Sequence, residues 1–354
     1  MKKFSRKATA ALLGLALVAA VAITTTATAK TTRSTAKIKV CVLLPDTKSS
    51  TRYTLFDAPY LKKAFKKANV PASILNAHGD AQRQTSQAEQ CLASGAKVFL
   101  LDQLDPASGK AITNKAVAGK AKVIDYDRLV VGSKAAYYVS FDNKRVGKLQ
   151  GKGLVAALKK KNKKKPVIAE LNGDLKDNNA HLFKDGYDSI LKPLYKSGKF
   201  KKASKGDQWT DWDPIKGRKI FDQMLTANGN KIDGVLAAND GLAGAVISSL
   251  KAHGLKKIPL TGQDATPTGV QFILAGWQSG TVYKSVKAEA KAAADAAIAI
   301  IKKKKVKTNG KVSGTPSILL NPVWITNKNY KLLFKDGFLK KSEVCKGQYA
   351  KYCK

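Results

Sequence analysis

From residue 37 onward, short apolar runs alternate with amphipathic stretches of helix length. Strand-like runs fall at 38–44, 72–77, 97–102, 122–126 and 136–141, and helical periodicity occupies 54–68, 80–94 and 106–119 between the first four. That βαβα rhythm predicts a parallel sheet covered by helices on both faces. A second series repeats it, with strands at 166–171, 200–206, 233–238 and 258–262 and helices at 178–195, 213–228 and 241–253. Thr281-Val-Tyr-Lys284 then leads into an alanine-rich helix at 285–303, and a last strand is expected at 317–320. Two similar α/β units follow. A final helix and strand divided between them would make the chain cross more than once, which produces a hinge.

Right-handed crossovers in a sheet of order 2-1-3-4-5 carry the helix between the second and third strands over the first. Cys91 on that helix then lies above Cys41 on the first strand, with Asp80 capping the helix and Gly95 ending it. A bridge there would close a loop of about 50 residues and stabilise the fold by about 4 kcal/mol in the loop-entropy model. Cys345 and Cys353 are close enough along the tail to close a small loop of their own. Four unrelated thiols are the alternative.

A chain of 354 residues, 44% hydrophobic and 25% charged, can bury one large core or two medium ones. Lys2, Lys3, Arg6 and Lys7 precede an apolar run at 10–23, and Ala27-Thr-Ala29 offers the small residues of a cleavage site. This reads as an export signal over 1–29, followed by a linker over 30–36, because the apolar run is short of the roughly 20 residues that span a bilayer. A lipid anchor needs a cysteine just after that run, and the first one, Cys41, sits inside a strand. The expected address is the periplasm or the outer face of the cell envelope, where disulfides persist.

The net charge is +39, four charges of which belong to the leader. Such a chain adheres to polyanions. Nucleic acid is disfavoured, since the lysines are not interleaved with aromatic platforms and the chain is exported. The runs at 159–165 and 302–305 follow helical segments, where cations complement the helix dipole and face solvent. Attraction to anionic cell-envelope polymers is the second reading of the same charge.

Candidate chemistry gathers at the strand ends. Arg52 and Tyr53 follow the first strand, Asp127-Arg128 and Asp142-Asn143 follow later ones, and the second unit supplies Asp174, Asp177, Asn178, Asn179, Trp209, Asn239-Asp240 and Gln263-Asp264. The C-terminal edge of a parallel sheet is where open α/β proteins hold small ligands. Mixed donors and acceptors suit a neutral polyhydroxylated molecule, and arginine can fork across two adjacent oxygens. Tyr53 and Trp209 could cover the apolar faces of a sugar ring, one from each unit. Taken singly, Asp142, Asp174 and Asp240 read equally as helix caps or turn residues. Trp212, before Pro214, reads as a core or capping residue.

Taken together, Asp127-Arg128, Ser140-Phe-Asp-Asn143, Asp177-Asn-Asn179-Ala-His-Leu-Phe183, Gly206-Asp-Gln-Trp209, Ala238-Asn-Asp240, Gly262-Gln-Asp-Ala265 and Thr281-Val-Tyr-Lys284 resemble the D-xylose-binding proteins of bacterial ABC transporters, in order from about 37 to 340. The resemblance implies a type I periplasmic-binding-protein fold, with two doubly wound lobes joined by three hinge crossovers and closing on one pyranose. The lobes would comprise 37–141 with 284–316, and 142–283 with 317–340, leaving a cysteine-bearing tail at 341–354. Arg52, Asp127, Arg128, Asp177, Asn179, Asn239, Asp264 and Lys284 would form the hydrogen-bonding set, with Trp209 stacked on the sugar. Tyr53 stands where relatives often carry tryptophan. Implied partners are a monosaccharide and permease subunits, with a chemoreceptor as a further candidate and the receptor itself monomeric.

An enzyme would use Asp177 and Asp264 as an acid and base across a sugar, but neighbouring arginines work against a protonated acid. His78, His181 and His253 lack metal-ligand spacing, and no nucleophile elbow or phosphate loop is present. No cofactor is expected. A sugar-sensing transcription factor would begin with a DNA-binding headpiece where this chain has an export signal. The reading is therefore an extracytoplasmic receptor for an aldose, xylose first, with glucose, ribose or arabinose as alternatives and a cationic envelope protein without a transport role behind them.

Overall fold

The computed structural model describes residues 37–353. The expected leader and linker lie outside the described residues. The first half forms β1 (Val40–Leu44), α1 (Ala58–Lys67), β2 (Ala72–Asn76), α2 (Ala81–Ala93), β3 (Val98–Leu101), α3 (Pro106–Ala118), β4 (Lys122–Tyr126) and β5 (Tyr137–Phe141). The second comprises α4 (Asn143–Lys160), β6 (Val167–Asn172), α5 (Asn178–Lys196), β7 (Lys201–Trp209), α6 (Pro214–Ala227), β8 (Gly234–Ala237), α7 (Asp240–Ala252), α8 (Pro267–Leu274) and β9 (Thr281–Tyr283). The chain ends with α9 (Val286–Ile301), β10 (Gly310–Val312), β11 (Thr315–Leu320), β12 (Val323–Ile325), α10 (Lys331–Lys335), α11 (Lys341–Val344) and a closing 3-10 turn.

The first lobe is built on a seven-stranded sheet of order β10-β11-β5-β4-β3-β1-β2, parallel except where β10 meets β11. Its centre has the expected 2-1-3-4-5 order. β1 is buried along its whole length, and its alternate residues serve opposite faces. Val40, Val42 and Leu44 pack with Leu61, Phe65 and the alanine stripe of α9, whereas Cys41 and Leu43 pack with Ala88, Cys91 and Ile112. Burial on both faces is why these strands read as continuous apolar runs.

The second lobe carries the three-stranded sheet β7-β6-β8. The run expected as a strand at 258–262 contributes only a single parallel bridge, Leu260 to Val235. The pattern assigned no helix to 143–160, where Gly147, Gly151 and Gly153 each weaken helix propensity by about 1 kcal/mol. Those glycines are there for contact. A Cβ at Gly147 would lie 1.9 Å from the Phe183 carbonyl oxygen, and one at Gly186 would lie 2.2 Å from that of Lys144, so α4 and α5 meet backbone to backbone.

The chain passes between the lobes at 142, at 284–285 and at 321–322. One boundary is corrected. Residues 317–320, expected in the second lobe, belong to β11, which pairs in register with β5 through Ser317 to Tyr138 and Leu320 to Phe141. β9 and β12 pair antiparallel beside the crossings. There Tyr283, Ile325, Tyr330, Leu333, Phe338 and Val344 form a separate apolar cluster that also receives Phe56 and Tyr60 from the first lobe.

Both cysteine pairs are bridged, with Cα–Cα distances of 6.0 Å for Cys41–Cys91 and 5.8 Å for Cys345–Cys353. The first closes the longer loop, 50 residues against 8. Replacing Cys41 and Cys91 together by alanine should therefore lower unfolding free energy by about 4 kcal/mol, and the same change at Cys345 and Cys353 by about 2.5 kcal/mol. Urea unfolding of the two variants checks the order; a larger loss from the tail pair would contradict it.

Candidate functional site

The strand ends of both lobes converge on one narrow cleft with a cavity of about 30 Å³. From the first lobe it is lined by Ser49, Ser50, Arg52, Tyr53, Asp127 and Arg128, and across from them by Asp177, Asn179, Phe183, Trp212, Asn239, Gln263 and Asp264, with Lys284 at the crossing. Nine of the ten residues expected to bind ligand thus meet at one place. The exception is Trp209.

Arg52 is the most heavily partnered group. It immediately precedes the π-helical turn at Tyr53–Asp57. Its Nε and Nη2 donate to the two carboxylate oxygens of Asp57 at 2.9 and 2.7 Å, its Nη1 to Asp127 Oδ1 at 3.1 Å, and Nη2 also to Glu289 on α9. All four groups are buried. Burial pushes the Glu289 carboxyl up to about 8 against the pull of Arg52. At Asp127 burial also opposes ionisation, but Arg52, Lys284 and Arg128 prevail and hold it at about 2.

Asp127 is fixed from every side. Its Oδ2 accepts from the Tyr53 hydroxyl at 2.9 Å, and its carbonyl oxygen accepts from Ser140 Oγ at 2.8 Å and from Asn179 Nδ2 at 2.7 Å. Its φ of 59° lies in the left-handed region, which aspartate tolerates better than most residues. Asn179 Oδ1 receives Asn143 Nδ2 at 2.8 Å and lies 2.9 Å from the Tyr138 hydroxyl, so its amide is engaged at the floor between the lobes.

Arg128 donates to Ser49 Oγ at 3.0 Å and to the Gln103 carbonyl at 3.3 Å, and its Nε stands 3.7 Å from Asp177 Oδ2 across the cleft. Asp102 lies behind it, 3.6 Å away and buried, its carboxyl pushed well up by burial. Asp177 caps α5 by accepting from Asn179 N at 2.9 Å, and its other oxygen accepts from Trp212 Nε1 at 3.1 Å. Lys284 pairs with Asp264 at 3.2 Å and lies 5.8 and 5.6 Å from the Phe141 and Phe183 ring centres. Asn239 caps α7 through Leu242 N and reaches the Ser49 carbonyl at 3.4 Å, while Lys48 pairs with Asp213 at 2.7 Å. These contacts join the lobes across the mouth.

The aromatic wall differs from expectation. Trp209 ends β7, packs against the second core and lies with its ring 5.0 Å from that of His181. Trp212 lines the cleft in its place. Asp211 and Trp212 both have positive φ, 55° and 53°, which is unusual for a bulky residue and turns the indole back over the strand ends. Gly173 makes room for it, since a Cβ there would lie 2.2 Å from the ring. No local residue pattern announces such a turn.

Ser49, Ser50 and Phe183 also line the cleft without having been expected to bind ligand, as does Gln263, which was named in the strand-end series but not in the binding set. Gln263 is buried, donates to the Ala238 carbonyl at 3.2 Å, and leaves its Oε1 without a hydrogen-bond partner. Asp142, Asp174 and Asp240 lie outside the cleft. Asp142 caps α4, Asp174 accepts from Lys176 N in a turn, and Asp240 binds Thr266 and Gln278, its carboxyl raised by burial to about 7. Among the described residues no cluster of histidine, cysteine and carboxylate groups could hold a metal ion, and no helix is long and apolar enough to cross a membrane.

This geometry, two α/β lobes with a polar cleft at their facing strand ends, defines a solute-binding protein. Residues 41–305 match the model described as the periplasmic binding protein domain, and the chain belongs to that family. It is 37% identical over 295 residues to the D-xylose-binding periplasmic protein of Escherichia coli, covering 80% of this chain and 86% of that one. It is 35% identical over 321 residues to the multiple sugar-binding periplasmic receptor ChvE of Rhizobium radiobacter, covering 84% and 90%. Among solved structures, the carbohydrate transporter solute binding protein of Chloroflexus aurantiacus, crystallised with D-glucose, superposes with a TM-score of 0.80 at 27% identity over 86% of this chain and 98% of that one. The fold is the type I periplasmic-binding-protein fold.

Arg52→Met would strand three buried carboxyl groups, a loss on the scale of 3–5 kcal/mol near pH 7. With Arg52 present, Asp127 has a depressed pKa, so its contribution is complete above about pH 4 and disappears as the pH falls through 2. Without it Asp127 takes up a proton more readily, and the gap between variant and parent should narrow from pH 7 to pH 4.5. Urea unfolding at both values tests this; a gap that is constant or widens towards acid pH would contradict it.

Proposed function

We propose that this protein is the exported sugar receptor of an ABC transporter, closing its two lobes around one aldose pyranose and presenting the closed form to membrane permease subunits. D-xylose is the favoured ligand. The observation that carries the reading is the composition of the cleft: Arg128, Asn239, Asp127, Asp177 and an unpartnered Gln263 oxygen offer donors and acceptors together, beside the Trp212 and Phe183 rings. A neutral polyol needs that mixture, since each hydroxyl both donates and accepts. The names of the E. coli and Rhizobium relatives point the same way, towards sugars and towards the periplasm. Glucose is the second candidate, because structural relatives at 27% and 28% identity were crystallised with it.

Closure follows from the placement of the residues. A sugar touching only one lobe gains half of the available bonds, so it binds the closed state better and shifts the population towards it. Of the two carboxylates an enzyme would use, Asp264 is paired with Lys284 and Asp177 is raised by burial against the pull of Arg128, so the fate of the sugar, followed directly, separates binding from turnover.

Calorimetric titration of the mature protein with a panel of pentoses and hexoses should give one saturable site, tightest for D-xylose, and chromatography of the same mixtures should show unchanged sugar. Absence of saturable binding to any of them would overturn the proposal. Arg128→Ala should weaken binding by about 1.5–3 kcal/mol, the scale of a hydrogen bond to a charged group. Trp212→Ala should weaken binding and Trp209→Ala should leave it within about twofold, given that ring contacts of this kind contribute about 1 kcal/mol or more. The reverse order at the two tryptophans would reinstate Trp209 as the sugar platform.

A further inference from the structure

Charge in the second lobe is sorted along the strand direction. The connections on the cleft side carry Asp174, Asp177, Asp211, Asp213 and Asp264. The helix-to-strand connections on the opposite edge, 161–166, 197–200, 228–233 and 253–259, are rich in lysine and contain one carboxylate, Asp233. That carboxylate is already engaged, by Lys163 Nζ at 2.8 Å and by Val167 N at 3.0 Å. Helix dipoles account for only part of the pattern, because their pull fades within the last turn. Lys161, Lys231 and Lys256 stand beyond the helix ends.

The edge is concave. Two adjoining depressions, of about 550 Å³ and about 450 Å³, share Lys161, Lys257, Ile258 and Pro259 in their walls and so form one groove. Lys160, Lys161, Lys231, Lys256 and Lys328 stand exposed around it and pair with none of the protein's carboxylates among the described residues. A row of unneutralised ammonium groups along a groove fits a linear polyanion, which can enter it and release its counterions. A flat anionic bilayer would reach only the rim. We propose that this groove, on the edge of the lobe away from the sugar cleft, binds a phosphate-bearing anionic polymer of the cell envelope and keeps the receptor near its membrane partners while the cleft stays open to ligand. The inference does not depend on which sugar the cleft takes.

Inorganic polyphosphate is a suitable probe, titrated into the mature protein over a range of salt, with phosphatidylglycerol vesicles as a parallel arm. Binding should be saturable at about 0.1 M salt, weaken linearly on a log–log salt plot, and fall at least about tenfold in the variant K160Q, K161Q, K231Q, K256Q, K328Q. A second variant, K302Q, K303Q, K304Q, K305Q, K307Q, removes the same charge from the first lobe and should stay within about threefold of the parent. Retained sugar binding establishes that both variants are folded. Equal losses in the two variants, no saturable binding, or vesicle binding stronger than polyphosphate binding would each overturn the assignment.

Discussion

The site depends on one buried cation. Arg52 joins the turn after β1, the end of β4 and the start of α9, three segments with no covalent reason to meet. A charge removed from water this completely persists only with partners. Asp57, Asp127 and Glu289 supply them, and in doing so they place Tyr53 against Asp127 and set α9 just past the crossing that carries Lys284. The first lobe's half of the cleft is therefore fixed before any ligand arrives.

The second lobe contributes by a different means. Two of its polar groups are helix caps: Asp177 on α5 and Asn239 on α7 each hold a backbone N–H group at a helix start. Capping fixes their orientation and lets them face the cleft at little added conformational cost. The contacts across the mouth are long, Arg128 to Asp177 at 3.7 Å and Asn239 to Ser49 at 3.4 Å, with the exposed Lys48–Asp213 pair beside them, whereas at the floor Asn179 donates to the Asp127 carbonyl at 2.7 Å. Exposed pairs contribute little. Two internally fixed halves with only weak contacts at the mouth leave the cleft free to part there.

Much of this was legible in the sequence. Alternating apolar runs and helices gave the sheet order, and that order alone placed Cys91 over Cys41. The strand-end polar series, together with the family resemblance, located Asp127, Arg128, Asp177, Asn239 and Asp264 at one cleft. What was not legible depends on backbone conformation. The positive φ at Trp212, and the bare Gly173 beneath it, decide which tryptophan faces the cleft. Helix α4 was hidden because its glycines serve a close helix contact and dilute the usual signature. The strand at 317–320 returns to the first sheet through pairing with β5, a long-range choice that no local pattern encodes.

The central claim is that two surfaces far apart in sequence grip one carbohydrate together. A crystal structure of the mature protein grown with D-xylose tests it most directly. The account predicts a single pyranose ring between Asp127 and Arg128 on one side and Asp177 and Asn239 on the other, with Trp212 against its face. A sugar bound outside this cleft, or touching residues of one lobe alone, would contradict it.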